Sequence, residues 1–159
     1  MSDVSTIIKF LPFSEKLSSK FYDLNIVWLN DLFLLEPYDK YVLNNPQLAI
    51  IDKGGYVFFI ECNKEIVGTF ALMPVDIGSY ELMKMTVKES HRGKGIGNQI
   101  MIFVIKFCKK KNARSICLYS NTKLNNAIKL YKNHNFKEIS LTDASPYDRA
   151  DIKMIHHLS

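Results

Sequence analysis

The sequence predicts an α+β fold: a mixed β-sheet, with helices on both faces. Two observations carry this. Helix-like spacing of apolar residues gives way at Tyr56 to runs of strand length separated by two short turns. After residue 88 the elements alternate as helix, strand, helix, strand, strand, so the meander continues into segments that cross over it.

Residues 1–50 read as helical and irregular. Ser14 is placed to cap a helix carrying Leu17, Phe21, Leu24, Val27 and Trp28 on one face. In the stretch NDLFLLEPYDKYVLNNPQLAI, Pro37 and Pro46 interrupt the period, so short helices and loops are expected. Gly54-Gly55 closes this region. YVFFIEC, the turn Asn63-Lys64 and EIVGTFALMPV then form a β-hairpin, and YELMKMTV follows a second turn at Asp76 to Ser79 as the third strand. Residues 95–111 form a helix with Ile96, Ile100, Val104, Phe107 and Cys108 on one face. SICLYS is a short strand. LNNAIKLYKNHNF is a second helix, stopped by Asn133 to Asn135 because Asn tolerates the left-handed conformation. FKEISL is a strand, SPYDRAD a loop and IKMIHHL a final strand. Without repeats or linkers, the 159 residues read as one domain spanning 1–159.

Composition excludes more than it identifies. With 47% apolar and 23% charged residues, the chain reads as a soluble globular protein. Its formal charge of +5 suits an anionic ligand, but the cations are dispersed. The densest run, Lys109-Lys110-Lys111, reads as the solvated end of a helix, where cations favour the C-terminal dipole. YVFFIEC lacks the interleaved cations of an RNA-binding strand face, so no nucleic-acid partner is expected. Cys62, Cys108 and Cys117 are odd in number, form no CxxC and sit among apolar residues, as buried free thiols do. MSDVSTIIKF does not resemble a signal peptide, and no apolar run reaches the ~18 residues of a membrane span. The expectation is a cytoplasmic protein without a membrane partner. His156 and His157 fall on opposite strand faces, so no metal site is expected.

The sequence concentrates its chemistry in SHRGKGIGNQI, where three glycines meet the start of a helix. Such a turn presents backbone N–H groups to an anion, and the helix dipole adds partial positive charge. Two phosphate motifs fail here. A Walker loop needs Ser or Thr after Gly93-Lys94, where Gly95 stands. A dinucleotide fingerprint needs different glycine spacing and an acidic residue about 20 positions on. What remains is Arg92-x-x-Gly95-x-Gly97, which resembles the coenzyme A signature of the GNAT N-acetyltransferase superfamily. The segment Ala127-Ile128-Lys129-Leu130-Tyr131, ending at Asn135-Phe136, resembles that superfamily's second signature, with Asn135 in place of the usual glycine. The likeness is firm over residues ~55–140 and extends into WLNDLFLLEPYD, GGYVFF, YELMKM, SNTKLNNAIKLY and SPYDRADIKM, segments similar to a bacterial branch of the superfamily.

The resemblance implies a GNAT fold: a mixed, mostly antiparallel sheet split by the bound cofactor. It implies acetyl transfer from acetyl-CoA to a primary amine by direct attack, with a small metabolite as the favoured acceptor. A protein N-terminus or lysine as acceptor, and a non-catalytic acyl-CoA sensor, are the alternatives. It assigns the pantetheine arm to the backbone of Met85, Thr86 and Val87. The pyrophosphate falls to Arg92, Gly93, Lys94, Gly95, Ile96 and Gly97, together with Asn98, and His91 is either a phosphate ligand or turn filler. Asn121 or Asn126 would bond the pantetheine or adenylate side. Glu81 is the candidate base, the alternative being a strand residue that faces solvent or pairs with Lys84. Glu36 and Asp39 are the runners-up. Tyr131 is either the general acid beside the departing sulfur or an amphipathic core tyrosine. Glu36, Tyr147 and Arg149 are candidate acceptor-binding residues, with Arg149 either clamping a carboxylate or pairing with Asp148 or Asp151. A homodimer through the last strands is compatible with the sequence.

Overall fold

The computed structural model describes residues 6–141, 145 and 147–158. Seven strands form one sheet in the order β1-β2-β3-β4-β5-β7-β6. β1 (Lys9–Pro12), β2 (Tyr56–Cys62), β3 (Glu65–Asp76) and β4 (Ser79–Val87) pair antiparallel in turn. β5 (Ser115–Ser120) lies parallel to β4, and β7 (Ile152–His157) pairs antiparallel with β5 and with β6 (Lys137–Ile139). The expected α+β architecture is present, with one parallel junction near its middle.

Helices cover both faces because alternate strand residues are apolar on both sides. α1 (Ser18–Leu32), α2 (Pro37–Asn44) and α3 (Pro46–Ala49) occupy one face, where Phe21, Leu29 and Val42 pack against Val57, Phe59, Ala71 and Met83. α4 (Ile96–Lys110) and α5 (Asn125–Asn133) cover the other, where Ile100, Met101, Val104 and Cys108 join Phe58, Ile60, Phe70 and Leu82. Cys62, Cys108 and Cys117 are buried and form no disulfide, and burial pushes Cys108 up to about 12.

The hairpin turn at Asn63-Lys64 has φ of 50° and 65°, the left-handed pair that joins twisted strands through two residues. Asn135 takes φ 66° just beyond α5, as expected of the residue replacing glycine. Pro37 and Pro46 stand first in α2 and α3, where the missing N–H costs nothing.

Three expectations for the N-terminal region need correction. Residues 9–12 form an edge strand rather than irregular chain; four residues are too few to show a period, and Pro12 is tolerated at an edge. Ser14 makes no side-chain cap and precedes a 3-10 turn, so the helix starts at Ser18. Val27 is 59% exposed rather than part of the packed face. Residues 1–5, and Pro146 within the SPYDRAD loop, lie outside the described residues. Among the described residues, no helix is long and apolar enough to cross a membrane.

Candidate active site

The site begins with an irregularity in β4. Thr69 of β3 faces Thr86 and Ala71 faces Met83, so Lys84 and Met85 together oppose Phe70 alone. This is a β-bulge, and Lys84 carries it with φ 55°, unusual for a residue with a side chain. Met83 packs toward α1 and α2, and Lys84 reaches Asp39 on the same side, whereas Leu82 and Met85 belong to the opposite cluster. A strict two-residue period would send Lys84 to that opposite, apolar side.

β4 pairs with β5 only from Ser79 to Glu81, against Ser115 to Cys117. Beyond Glu81 the two strands separate, so the β5-facing backbone of later β4 residues has no strand partner. The gap widens into a cavity of about 1290 Å³. Along β4 it is lined by Glu81 and by Met85, Thr86 and Val87; across from them stand Asn121, Asn126 and Tyr131. Arg92, Gly93, Gly95, Ile96, Gly97 and Asn98 close one end, and Tyr147 and Arg149 border the other. Lys94 and Glu36 lie off this wall, with Glu36 beside an adjoining groove of about 630 Å³.

At the glycine turn the glycines divide their work. Gly93 and Gly95 have φ of 74° and 81°, and a Cβ on either would meet no atom within 4 Å. Gly97 is helical, and its Cβ would stand 3.1 Å from Leu130 Cδ2, so its smallness lets α4 approach α5. Gly95 is the N-cap of α4 with no side-chain cap, and no acidic residue occupies the first turn. The helix start therefore offers donors and positive potential to an anion, with open space before it. Arg92 Nε donates to Val87 O at 2.9 Å, fixing the turn to the end of β4 and occupying that carbonyl. Asn98 Oδ1 lies 3.0 Å from His134 Nε2, Lys94 O accepts from Thr6 Oγ1 at 3.1 Å, and His91 Nδ1 contacts Ser90 Oγ at 2.8 Å. These contacts hold the turn from both sides.

Glu81 is 7% exposed. Burial pushes its carboxyl up to about 7, against the opposing pull of Lys84 and Lys153. It is not salt-bridged to Lys84: that ammonium sits 2.5 Å from Asp39 Oδ1. Burial brings Lys84 down to about 8, with Asp39 acting to raise it and Arg149 to lower it.

Arg149 pairs with neither Asp148 nor Asp151. Its guanidinium grips Asp39 through two bonds of 2.7 and 2.9 Å and reaches Glu36 Oε2 at 3.3 Å. Of the two readings of Arg149, the structure shows the internal ion pair, but with Asp39 and Glu36 as its partners. Asp39, fully buried, also accepts from the Glu36 N–H at 3.0 Å in the capping box of α2. Burial acts to raise its carboxyl, but Arg149 and Lys84 outweigh it and hold the group below its ordinary value. A carboxylate so occupied is no base, which removes Asp39 as runner-up. Glu36 accepts from the Asp148 and Arg149 N–H groups at 2.9 and 3.3 Å, so it anchors a strap over residues 147–151. Tyr147 lies within that strap, 6% exposed, its ring between Lys84 at 4.5 Å and Arg149 at 4.4 Å. Asn121 ties down the strap's other side, donating to Arg149 O at 2.7 Å while accepting from Lys123 N at 2.8 Å. One N–H of its amide is left over, and both Asn121 and Asn126 line the cavity.

Tyr131 stands on α5 with its ring 6.0 Å from Phe136, and burial pushes its hydroxyl up to about 12. It keeps its proton throughout the physiological range.

A family model described as "Acetyltransferase (GNAT) domain" matches residues 53–138, which contain the β-hairpin, β4, the glycine turn and α5. The chain belongs to the GNAT acetyltransferase family. It is 36% identical over 74 residues to Probable N-acetyltransferase 14 of Xenopus tropicalis, covering 46% of this chain and 36% of that protein. It thus spans about a third of that relative's length. A GNAT-family acetyltransferase from Staphylococcus aureus Mu50 superposes with a TM-score of 0.87 at 22% identity, over 96% of this chain and 100% of the other. A Bacillus subtilis acetyltransferase solved in complex with CoA superposes with a TM-score of 0.73 at 19% identity, over 96% and 100%. The fold is the GNAT fold.

Within this GNAT fold, sequence reading named Lys84 as a partner for Glu81 and missed its bond to Asp39, the strand bulge and the Asp39–Arg149 fork. It also missed the wall that α1 contributes through Trp28 and Asp31. Apolar spacing could locate α1 but not orient its cavity side, and the ion pair spans 45 residues without a motif.

Proposed function

We propose that this chain is an N-acetyltransferase that moves an acetyl group from acetyl-CoA to a small primary amine by direct attack. Bound acetyl-CoA supplies a thioester whose carbonyl carbon accepts the amine nitrogen and whose sulfur departs. The residues present fit that ligand. The open space at Gly93 and Gly95 and the uncapped start of α4 suit its pyrophosphate. The β4 backbone left without a strand partner beyond Glu81 suits the amides of its arm.

Glu81 takes the proton that the amine must shed. With its carboxyl at about 7, it is both ionised in useful amount and basic enough near neutral pH. Tyr131 holds a proton toward the departing sulfur. At about 12 its hydroxyl is a weaker acid than a thiol at about 8.5, so it stabilises the thiolate chiefly as a hydrogen-bond donor. A backbone N–H in the Met85 region meets the negative charge that develops on the carbonyl oxygen. The Tyr147–Arg149 strap roofs the end near Glu81, which favours a small acceptor. With Arg149 spent on Asp39, that acceptor needs no carboxylate.

One observation carries the reading: Glu81, Tyr131 and the glycine turn border one cavity at the point where β4 leaves β5. The test is thiol release from acetyl-CoA with a panel of small amines. Amine-dependent release, abolished or nearly so in Glu81→Gln while acetyl-CoA still binds, is the expected result. Release that Glu81→Gln leaves intact would remove the base from this account.

A further inference from the structure

Lys84 has no part in the family signatures, yet it is one of the most constrained side chains in the molecule. The bulge turns it onto the face shared by Met83 and α2. There Asp39 Oδ1 holds its ammonium at 2.5 Å and the Tyr147 ring covers it at 4.5 Å. Asp39 is fixed in turn by two Arg149 bonds and by the Glu36 N–H. Three elements, α2, the strap and β4, therefore meet on this one ammonium.

Its neighbour along the strand is Glu81. The groups around that carboxyl are Lys84 on β4, Lys153 on β7, Tyr38 on α2 and Tyr147 on the strap, with Met73 and Cys117 opposite it in register. Tyr38 and Tyr147 are neutral near pH 7, since burial acts first to raise both. The two ammonium groups are what oppose the burial of the carboxylate, Lys84 more strongly than Lys153.

We infer that Lys84 is a positioning residue for the transfer reaction: turned by the bulge onto the face that Glu81 shares with Met83, and held there by Asp39, its ammonium stands as the fixed counter-charge of the Glu81 carboxylate. The inference rests on the reading of Glu81 as base, but its own test does not depend on turnover. An ammonium close to a buried carboxylate favours the charged form, and removing one raises the carboxyl by about 1–3 pH units. Asp39 acts through Lys84 in the same sense, because it keeps that buried ammonium protonated and in place.

The experiment is carbon-detected NMR titration of the glutamate carboxyls, with the Glu81 signal assigned by its loss in Glu81→Gln. Lys84→Met is expected to raise the Glu81 midpoint by about one unit or more. Asp39→Asn is expected to raise it too, because Lys84 without its partner loses its proton near pH 7, Lys84→Arg to leave it close to wild type, and Lys153→Met to raise it less than Lys84→Met does. In turnover, a one-unit rise reduces ionised Glu81 at pH 7 from about a half to about a tenth. kcat/KM for an accepted amine then falls about fivefold at pH 7 and recovers by pH 9. A merely structural role would lower the whole profile without displacing it. If Lys84→Met does not fold, Asp39→Asn and Lys153→Met still test the direction and ranking. An unmoved Glu81 midpoint in the folded variants overturns the inference. A displaced midpoint with an undisplaced rate profile upholds Lys84 and overturns Glu81 as base.

Discussion

Glu81 stands where a carboxylate is costly, and that cost is measurable. Its ordinary value is 4.5 and burial raises it to about 7, so the native state binds this proton more tightly than the unfolded chain does. The favourable contribution is full below pH 4.5 and is lost as pH rises through about 7. A displacement of this size corresponds to roughly 3 kcal/mol. Glu81→Gln is therefore expected to be more stable than the parent at pH 8, by up to about 3 kcal/mol, and nearly equal to it at pH 4. Urea unfolding at the two pH values checks this. The same substitution should lower turnover by about 10²-fold or more, the usual scale for a positioned base. Tyr131→Phe should cost about ten- to a hundredfold in kcat with little change in acetyl-CoA affinity, since one hydrogen bond to a charged group contributes about 1.5–3 kcal/mol. Rapid-quench kinetics would separate that loss from product release. Glu81 was legible in the sequence because a carboxylate inside an apolar strand is uncommon. Lys84 could be named as its neighbour but its bond to Asp39 could not, because a period-2 reading puts Lys84 on the wrong face and cannot register a positive φ.

Among the elements, β4 and the glycine turn do most to shape the site. The turn was readable as a whole, since three glycines before an apolar helix have few other uses. Its division of labour was not. A Cβ on Gly97 would stand 3.1 Å from Leu130, a packing constraint set by α5 from 33 residues away. Gly95→Ala should cost about 1–2 kcal/mol of stability for a side chain in the left-handed region. It should also weaken acetyl-CoA binding by at least about tenfold, because the new methyl group occupies the space left open for phosphate. Calorimetry on the folded variant would read both. β1 escaped detection for the opposite reason: four edge residues carry too little pattern to show, and their pairing with β2 is decided by tertiary contact.

Across the whole molecule, the sheet order and the strap make one cavity of several partial surfaces. The sequence indicated a meander followed by crossovers, and the observed order obeys it, with the β4–β5 junction parallel as a crossover through α4 requires. The strap was visible only as a loop rich in charge. Arg149 has acidic neighbours at 148 and 151, but it bonds to Asp39, 110 residues away, where a buried carboxylate needs a planar bidentate donor. Arg149→Met should destabilise the protein by about 3 kcal/mol, since it leaves Asp39 buried with Lys84 as its remaining charged partner. It should also loosen the roof of the acceptor end, raising KM for the amine more than it lowers kcat. The measurement that bears most directly on the central claim is acetyl-CoA turnover itself, followed by thiol release, with and without small primary amines. The account predicts release that requires an amine, transfers the acetyl group to its nitrogen and fails in Glu81→Gln. Acetyl-CoA that binds but yields no amine-dependent release with any amine tested would contradict it.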